Sequence, residues 1–198
     1  MISDCTAIIL TGGDSRRMGQ DKANLLWHER SLLQHVISLV QPLFSEVIIS
    51  VRQPRAGIRL PQVCDDPVHR GPLGGLLAGL AKANTAWVFL VACDMPFITP
   101  RVVEYLAQQR REHQAVVPFV QGHPQPMAGF YAQSCLEPLR ALLHDASAKH
   151  SLRALLERLD THYVAEAELQ PADPQLKSFF DLDTPQDFAA AQTRQGEV

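Results

Sequence analysis

A chain of 198 residues with 46% apolar and 20% charged residues, 11 Gly and 14 Pro has an ordinary globular balance, which excludes a disordered, collagenous or large multidomain protein. Its 18 Lys and Arg against 21 Asp and Glu give a formal charge of -3, so the whole molecule does not attract a polyanion such as nucleic acid, and any anion site must be local. Four short runs rich in Val, Ile and other apolar residues read as strands buried on both faces: Cys5 to Leu10, Glu46 to Val51, Gln62 to Cys64 and Trp87 to Ala92. Helical periodicity lies between them, from Ser31 to about Gln41, where Pro42 stops it, and from Leu73 to about Ala83. A third helix is expected from the cap Thr99 with Pro100 in its first position, leading to a strand at Ala115 to Phe119. The alternation of strand and helix predicts an α/β fold on an open, mostly parallel sheet. Beyond residue 120 the spacing predicts helices at about Ser134 to His144 and Ser151 to Leu159, and Thr184-Pro185-Gln186-Asp187 opens a terminal helix running to about Gln195.

The cysteines Cys5, Cys64, Cys93 and Cys135 contain no Cys-x-x-Cys pair and read as buried thiols in a reducing compartment. An acid stands in Met1-Ile2-Ser3-Asp4, where a signal peptide needs basic residues, and the apolar run that follows is too short to span a bilayer. The expected location is cytoplasmic, with no membrane and no nucleic acid as partner.

Leu10-Thr11-Gly12-Gly13-Asp14-Ser15-Arg16-Arg17-Met18-Gly19-Gln20-Asp21-Lys22 directly follows the first predicted strand. Ligands of open parallel sheets bind beyond the carboxyl ends of the strands, and glycines there let backbone N–H groups approach phosphate oxygens. Arg17 offers a planar fork and Lys22 a mobile point charge, a pairing suited to a triphosphate. The loop is neither a Walker A motif nor a dinucleotide fingerprint. Asp94, in Cys93-Asp94-Met95-Pro96, ends the most apolar strand and would hold Mg²⁺ together with substrate phosphates, or else cap the next turn. Asp66 stands in Asp65-Asp66-Pro67-Val68-His69-Arg70-Gly71-Pro72-Leu73-Gly74-Gly75, whose paired glycines serve either a ligand or close helix-to-sheet packing. Asp181 and Asp183 alternate along an extended piece and share one face, as a cation or substrate site or as a solvated turn. His123, between Gly122 and Pro124, is the only histidine in a ligand-like loop. No metalloprotease or nucleophile-elbow motif is present, and nothing near Cys93 supplies a base for covalent catalysis.

Taken in order, Leu10-Thr11-Gly12-Gly13 to Lys22, Asp66 to Gly75, Cys93-Asp94-Met95-Pro96 and Asp181-Leu182-Asp183-Thr184-Pro185 resemble the molybdenum cofactor guanylyltransferase (MobA) family over nearly the whole chain. Related cytidylyltransferases usually carry Ala-Gly in the first loop and Gly-Asp-Gln-Pro at the strand end, so Gly12-Gly13 and Cys93-Asp94-Met95-Pro96 favour guanine. The resemblance implies a three-layer Rossmann-like nucleotidyltransferase fold in a single domain over 1–198. Residues to about 120 would form the nucleotide half, and about 121–198 an acceptor-binding elaboration. The implied reaction is attack by the terminal phosphate of molybdenum-molybdopterin on the α-phosphorus of GTP, with Mg²⁺ as cofactor. Leu10, Thr11, Gly12, Gly13, Lys22, Ser50, Asp66 and Asp94 would bind the nucleotide. Arg17, Lys22 and Asp94 would carry catalysis, Asp94 would hold the metal, and His123, Asp181 and Asp183 would bind the acceptor. Thr11 stands where the family usually has Ala, Ser50 where an Asn is frequent, and Asp181 and Asp183 replace the two Asn of the closing motif. The partners implied are GTP, the molybdopterin acceptor, molybdenum insertion proteins and target molybdoenzymes. The competing readings are the same chemistry with CTP or with another phosphorylated small molecule, and a non-catalytic nucleotide-binding delivery protein.

Overall fold

Along β1 (Ile2–Leu10) every residue from Cys5 onward is buried, and alternate side chains enter two different cores: Cys5, Ala7 and Ile9 one, Ile8 and Leu10 the other. The same division runs through β6 (Trp87–Ala92), with Phe89 and Val91 on the first side and Val88 and Leu90 on the second. Strands apolar on both faces require a helical layer on each. In this computed structural model, which describes residues 1–11, 21–64, 71–182 and 184–194, α1 (Leu32–Val40), α3 (Pro100–Gln108) and α6 (Glu166–Leu169) contribute to the first core. The second core takes its helical residues from α2 (Pro72–Lys82), α4 (Leu136–His144) and α5 (Leu152–Leu156). This is the expected open α/β architecture with helices on both faces.

Eight strands form the sheet among the described residues. Their order is β10 (Thr161–Ala165), β7 (Ala115–Val120), β9 (Ala128–Ala132), β6, β1, β4 (Phe44–Val51) and β5 (Gln62–Cys64), with β8 (His123–Pro124) paired to β7. β1 is parallel to β4 and β6, while β9 runs antiparallel to both β6 and β7. The chain moves outward from β1 through β4 to β5 and then crosses to the other side of β1 at β6. The carboxyl ends of β1 and β6 therefore border the crevice in which such sheets bind ligands. A separate hairpin of β2 (Leu26–Trp27) and β3 (Arg30–Ser31) precedes α1.

The caps expected at Thr99 and Thr184 form, and Ser31 and Ser151 add two more. Ser31 accepts from the Gln34 N–H, and the Gln34 side chain accepts from the Ser31 N–H in return. Thr99 and Ser151 cap α3 and α5, and Thr184 exchanges hydrogen bonds with Asp187 at the start of α7 (Pro185–Arg194). Two expectations need correction. β5 is the edge strand, so it is not buried on both faces and its Cys64 is exposed, unlike Cys5, Cys93 and Cys135; all four are free thiols. The sequence reading also omits β9 and β10. A Cβ on Gly129 of β9 would lie 3.0 Å from Val117 Cγ2 and 3.1 Å from the Val116 carbonyl oxygen, so this glycine admits a close strand contact.

Candidate active site

The crevice is built first from backbone. The Leu10 carbonyl accepts from the Cys93 N–H at 2.9 Å, tying the end of β1 to β6. Both the N–H and the hydroxyl of Thr11 donate to the Ser50 carbonyl, at 3.0 and 2.8 Å, tying it to β4. The Thr11 hydroxyl is thus a clamp between strands. Ser50 is only 1% exposed, and its Oγ lies 2.8 Å from where a Cβ on Gly75 would sit, with Leu10 Cδ2 at 2.4 Å. The Ser50 hydroxyl therefore lies in the seam between α2 and the sheet, not on the crevice surface. Gly75 is explained by that seam, and Gly79 by Ile8, whose Cδ1 would be 2.0 Å from an added Cβ. Between the two readings of the Gly75 position, the geometry selects helix-to-sheet packing.

Two charged groups 72 residues apart in sequence meet at the crevice. Asp94 follows β6 and Lys22 opens a 3-10 turn, Lys22–Asn24, and their Nζ and Oδ2 atoms are 2.8 Å apart with both side chains 15% exposed. The other carboxylate oxygen, Asp94 Oδ1, is buried and accepts no hydrogen bond. An unpaired buried acceptor costs about 1–3 kcal/mol, which a turn-capping carboxylate would avoid by taking a backbone N–H. The turn that contains Asp94 instead closes through main-chain atoms, the Met95 N–H donating to the Ala92 carbonyl. The alternative of Asp94 as a turn cap is thereby removed.

The segment Asp94 to Pro96 is held from two more sides. The Asp94 carbonyl accepts from the Leu182 N–H at 3.1 Å, joining the closing segment to the crevice, and His35 Nε2 of α1 pairs with the Pro96 carbonyl at 2.9 Å. Burial holds the His35 imidazole below its ordinary pKa, so the neutral ring donates this bond. Beyond Asp94 opens a cavity of about 840 Å³ whose lining includes Phe97, Phe180, Gln121, Gln125, Lys177 and Asp181. His123 is exposed on β8 and is not among the lining residues. Gly12, Gly13, Arg17, Asp66 and Asp183 lie outside the described residues. Among the described residues, no three His, Cys, Asp or Glu side chains form a metal cluster.

Sequence reasoning missed several contributors. His35 reads only as a polar position on an amphipathic helix. The lining residues Gln121 and Gln125 flank β8, where sequence reasoning singled out only His123. Arg55, from the connection between β4 and β5, reaches Asp21 Oδ2 at 2.6 Å and Asn24 Oδ1 at 3.2 Å. Asp21 had a signal, since an acid directly before a helical turn is a capping residue, and its Oδ1 does accept from the Ala23 N–H.

The family model described as MobA-like NTP transferase domain matches residues 7–162. The chain is 36% identical, over 96% of its length and 95% of the relative's, to a Chloroflexus aggregans protein named "Probable molybdenum cofactor guanylyltransferase". It is 33% identical, over 92% of its length and 88% of the relative's, to the "Molybdenum cofactor guanylyltransferase" of Syntrophotalea carbinolica. Among solved structures it resembles the molybdopterin-guanine dinucleotide biosynthesis protein A of Archaeoglobus fulgidus, with a TM-score of 0.85 at 24% identity, covering 98% of this chain and 100% of that one.

Proposed function

The chain belongs to the MobA-like NTP transferase domain family, and from that premise we propose that it transfers GMP from GTP to the terminal phosphate of molybdenum-molybdopterin, releasing pyrophosphate and forming the guanine dinucleotide. The observation that carries this reading is the Lys22–Asp94 pair at the sheet's switch point, with one carboxylate oxygen buried and unpartnered, beside a cavity large enough for a polycyclic acceptor.

The attacking group is a phosphate oxygen that arrives ionised, so the site needs no general base, in keeping with the lack of a nucleophile–base dyad in the sequence. What remains is in-line positioning and charge balance around the α-phosphorus. Lys22 supplies a cation that neutralises Asp94 when no ligand is bound and turns to the phosphates when the nucleotide enters. Arg17 is assigned a second phosphate contact, the Gly12-Gly13 backbone the close approach to the nucleotide, and Asp66 the guanosine region. Asp94 fits a hard divalent cation such as Mg²⁺, because its buried Oδ1 offers one oxygen ligand and such ions take their remaining ligands from phosphates and water. When bound, that ion would offset charge on the phosphates during transfer. Leu10 and Thr11 shape the crevice floor by locking β1 to its two neighbours, and Ser50 acts through the same strand junction. Asp181 faces the acceptor cavity. His123 and Asp183 complete the proposed acceptor set.

The four free thiols accord with a reducing, cytoplasmic setting, and no helix among the described residues is long and apolar enough to cross a membrane. Molybdenum insertion proteins upstream and molybdoenzymes downstream are the partners this reaction calls for.

The test is pyrophosphate release with molybdenum-molybdopterin and either GTP or CTP, each with and without Mg²⁺. GTP- and Mg²⁺-dependent release is expected. Turnover with CTP alone would assign a cytidylyltransferase, and nucleotide binding without release would assign a delivery protein. Thermal unfolding with GTP, CTP, ATP and UTP provides the binding arm, since a ligand at a hundred times its Kd adds about 2.7 kcal/mol to the folded state.

A further inference from the structure

We propose that Arg55 is a positioning residue for nucleotidyl transfer, holding the Lys22 turn over Asp94 from the connection between β4 and β5. The proposal rests on the reading of Lys22 as the phosphate contact.

The turn that carries Lys22 is only three residues long, Lys22–Asn24, and such a segment has little stability of its own. Asp21 divides its carboxylate between two tasks. Oδ1 accepts from the Ala23 N–H and caps the turn, while Oδ2 takes Arg55 Nη2 at 2.6 Å. The other end of the same guanidinium, Nη1, donates to Asn24 Oδ1 at 3.2 Å. Arg55 therefore grips the residue before the turn and the last residue within it, with Lys22 between. A planar fork suits this span, whereas a lysine ammonium would satisfy one end.

Arg55 is itself anchored. Its N–H donates to Gln62 Oε1 at 2.8 Å, and Gln62 Nε2 donates to the Arg55 and Ile58 carbonyls at 3.1 and 3.3 Å. Gln62 opens β5, which pairs with β4, so the fork is mounted on the sheet beside the strand that carries Ser50. Arg55 acts through Asp21 and Asn24 rather than by contact with Asp94. Its effect on a ligand is expected to pass through Lys22.

A double-mutant cycle on the full chain tests this, with Mg·GTP affinity measured by titration calorimetry and Tm recorded for every variant. Arg55→Gln should weaken Mg·GTP binding by about five- to tenfold in the wild-type background and leave it unchanged in Lys22→Ala, which has already lost the group being positioned. In turnover the loss should appear in the KM for GTP, with the KM for the acceptor unmoved. Arg55→Lys should recover part of the affinity. Asp21→Asn, which keeps an oxygen for the cap and removes the charge partner, should reproduce Arg55→Gln, so the outcome does not hang on one variant folding. A purely structural role predicts equal Tm losses with no change in affinity, and that result would overturn the proposal. Equal weakening of Mg·GTP in both backgrounds would overturn it too. If Lys22→Ala alone leaves affinity unchanged, the assignment of Lys22 falls, and this proposal with it.

Discussion

Replacing Asp94 by Ala separates what the carboxylate does for catalysis from what it does for the fold. Removing one partner of a buried ion pair costs about 3–5 kcal/mol. The Lys22 and Asp94 side chains are each 15% exposed, so the abandoned ammonium keeps access to water and the lower end, about 3 kcal/mol, applies. The same substitution deletes Oδ1, the buried acceptor with no partner, and relieves about 1–3 kcal/mol. The balance is a loss of about 1 kcal/mol, which for a chain of this size lowers Tm by roughly 2–4 °C. Removing both charges, as Lys22→Met with Asp94→Leu, should restore or exceed wild-type stability, because replacing a buried pair with apolar groups is often neutral or stabilising. Both variants should lose Mg²⁺-dependent turnover and the Tm increase produced by Mg·GTP. Scanning calorimetry with and without Mg·GTP, alongside pyrophosphate release, reads all of these quantities. A collapse of the fold in Asp94→Ala would refute the energetic argument, and near-normal Mg²⁺-dependent activity would refute the metal assignment.

Gly79→Ala should lower the urea midpoint, with overpacking of about 1–3 kcal/mol outweighing the better helix propensity of Ala. Ile8→Val, which removes the Cδ1 atom 2.0 Å from the added Cβ, should recover part of the loss, and an unaltered midpoint in Gly79→Ala would contradict the packing of α2 on β1. Burial lowers the pKa of His35 below its ordinary 6.5, so between the two values the unfolded chain binds more protons than the folded one. Stability should therefore fall as pH drops below about 6.5 and show no His35 contribution above it; His35→Gln should flatten this part of a Tm-against-pH curve, and an identical slope would remove His35 as its source. An aromatic disulfide reagent should label one thiol quickly in the native protein, the exposed Cys64, and four after unfolding. Burial raises the other three thiols, Cys135 up to about 12, so fast native labelling in Cys64→Ser would contradict their placement.

The sequence by itself determined those features whose physical cause is local. Strand runs such as Trp87–Ala92 are legible because burial on two faces demands an unbroken apolar stretch. The caps at Thr99 and Thr184 are legible because a hydroxyl before a helical stretch satisfies an orphan N–H. The candidate chemistry was legible as well, since Asp94 stands just beyond one predicted strand and Lys22 closes the glycine-rich stretch that follows another, where ligands of such sheets bind. Only the tertiary structure decided what these residues meet. Lys22 touches Asp94 because β6 crosses to lie beside β1, and the order of strands in a sheet is not a local property. The same holds for β9, whose antiparallel place between β6 and β7 depends on Gly129 yielding room to Val116 and Val117. Gly75 could serve a ligand or a helix seam until Leu10 and Ser50 filled the space above it. Arg55 carries no motif, and its value comes from the reach of a guanidinium across a gap that only the folded chain creates. Periodicity and capping are written over three or four residues, whereas the distances that make a site are set by crossovers that bring together groups tens of residues apart.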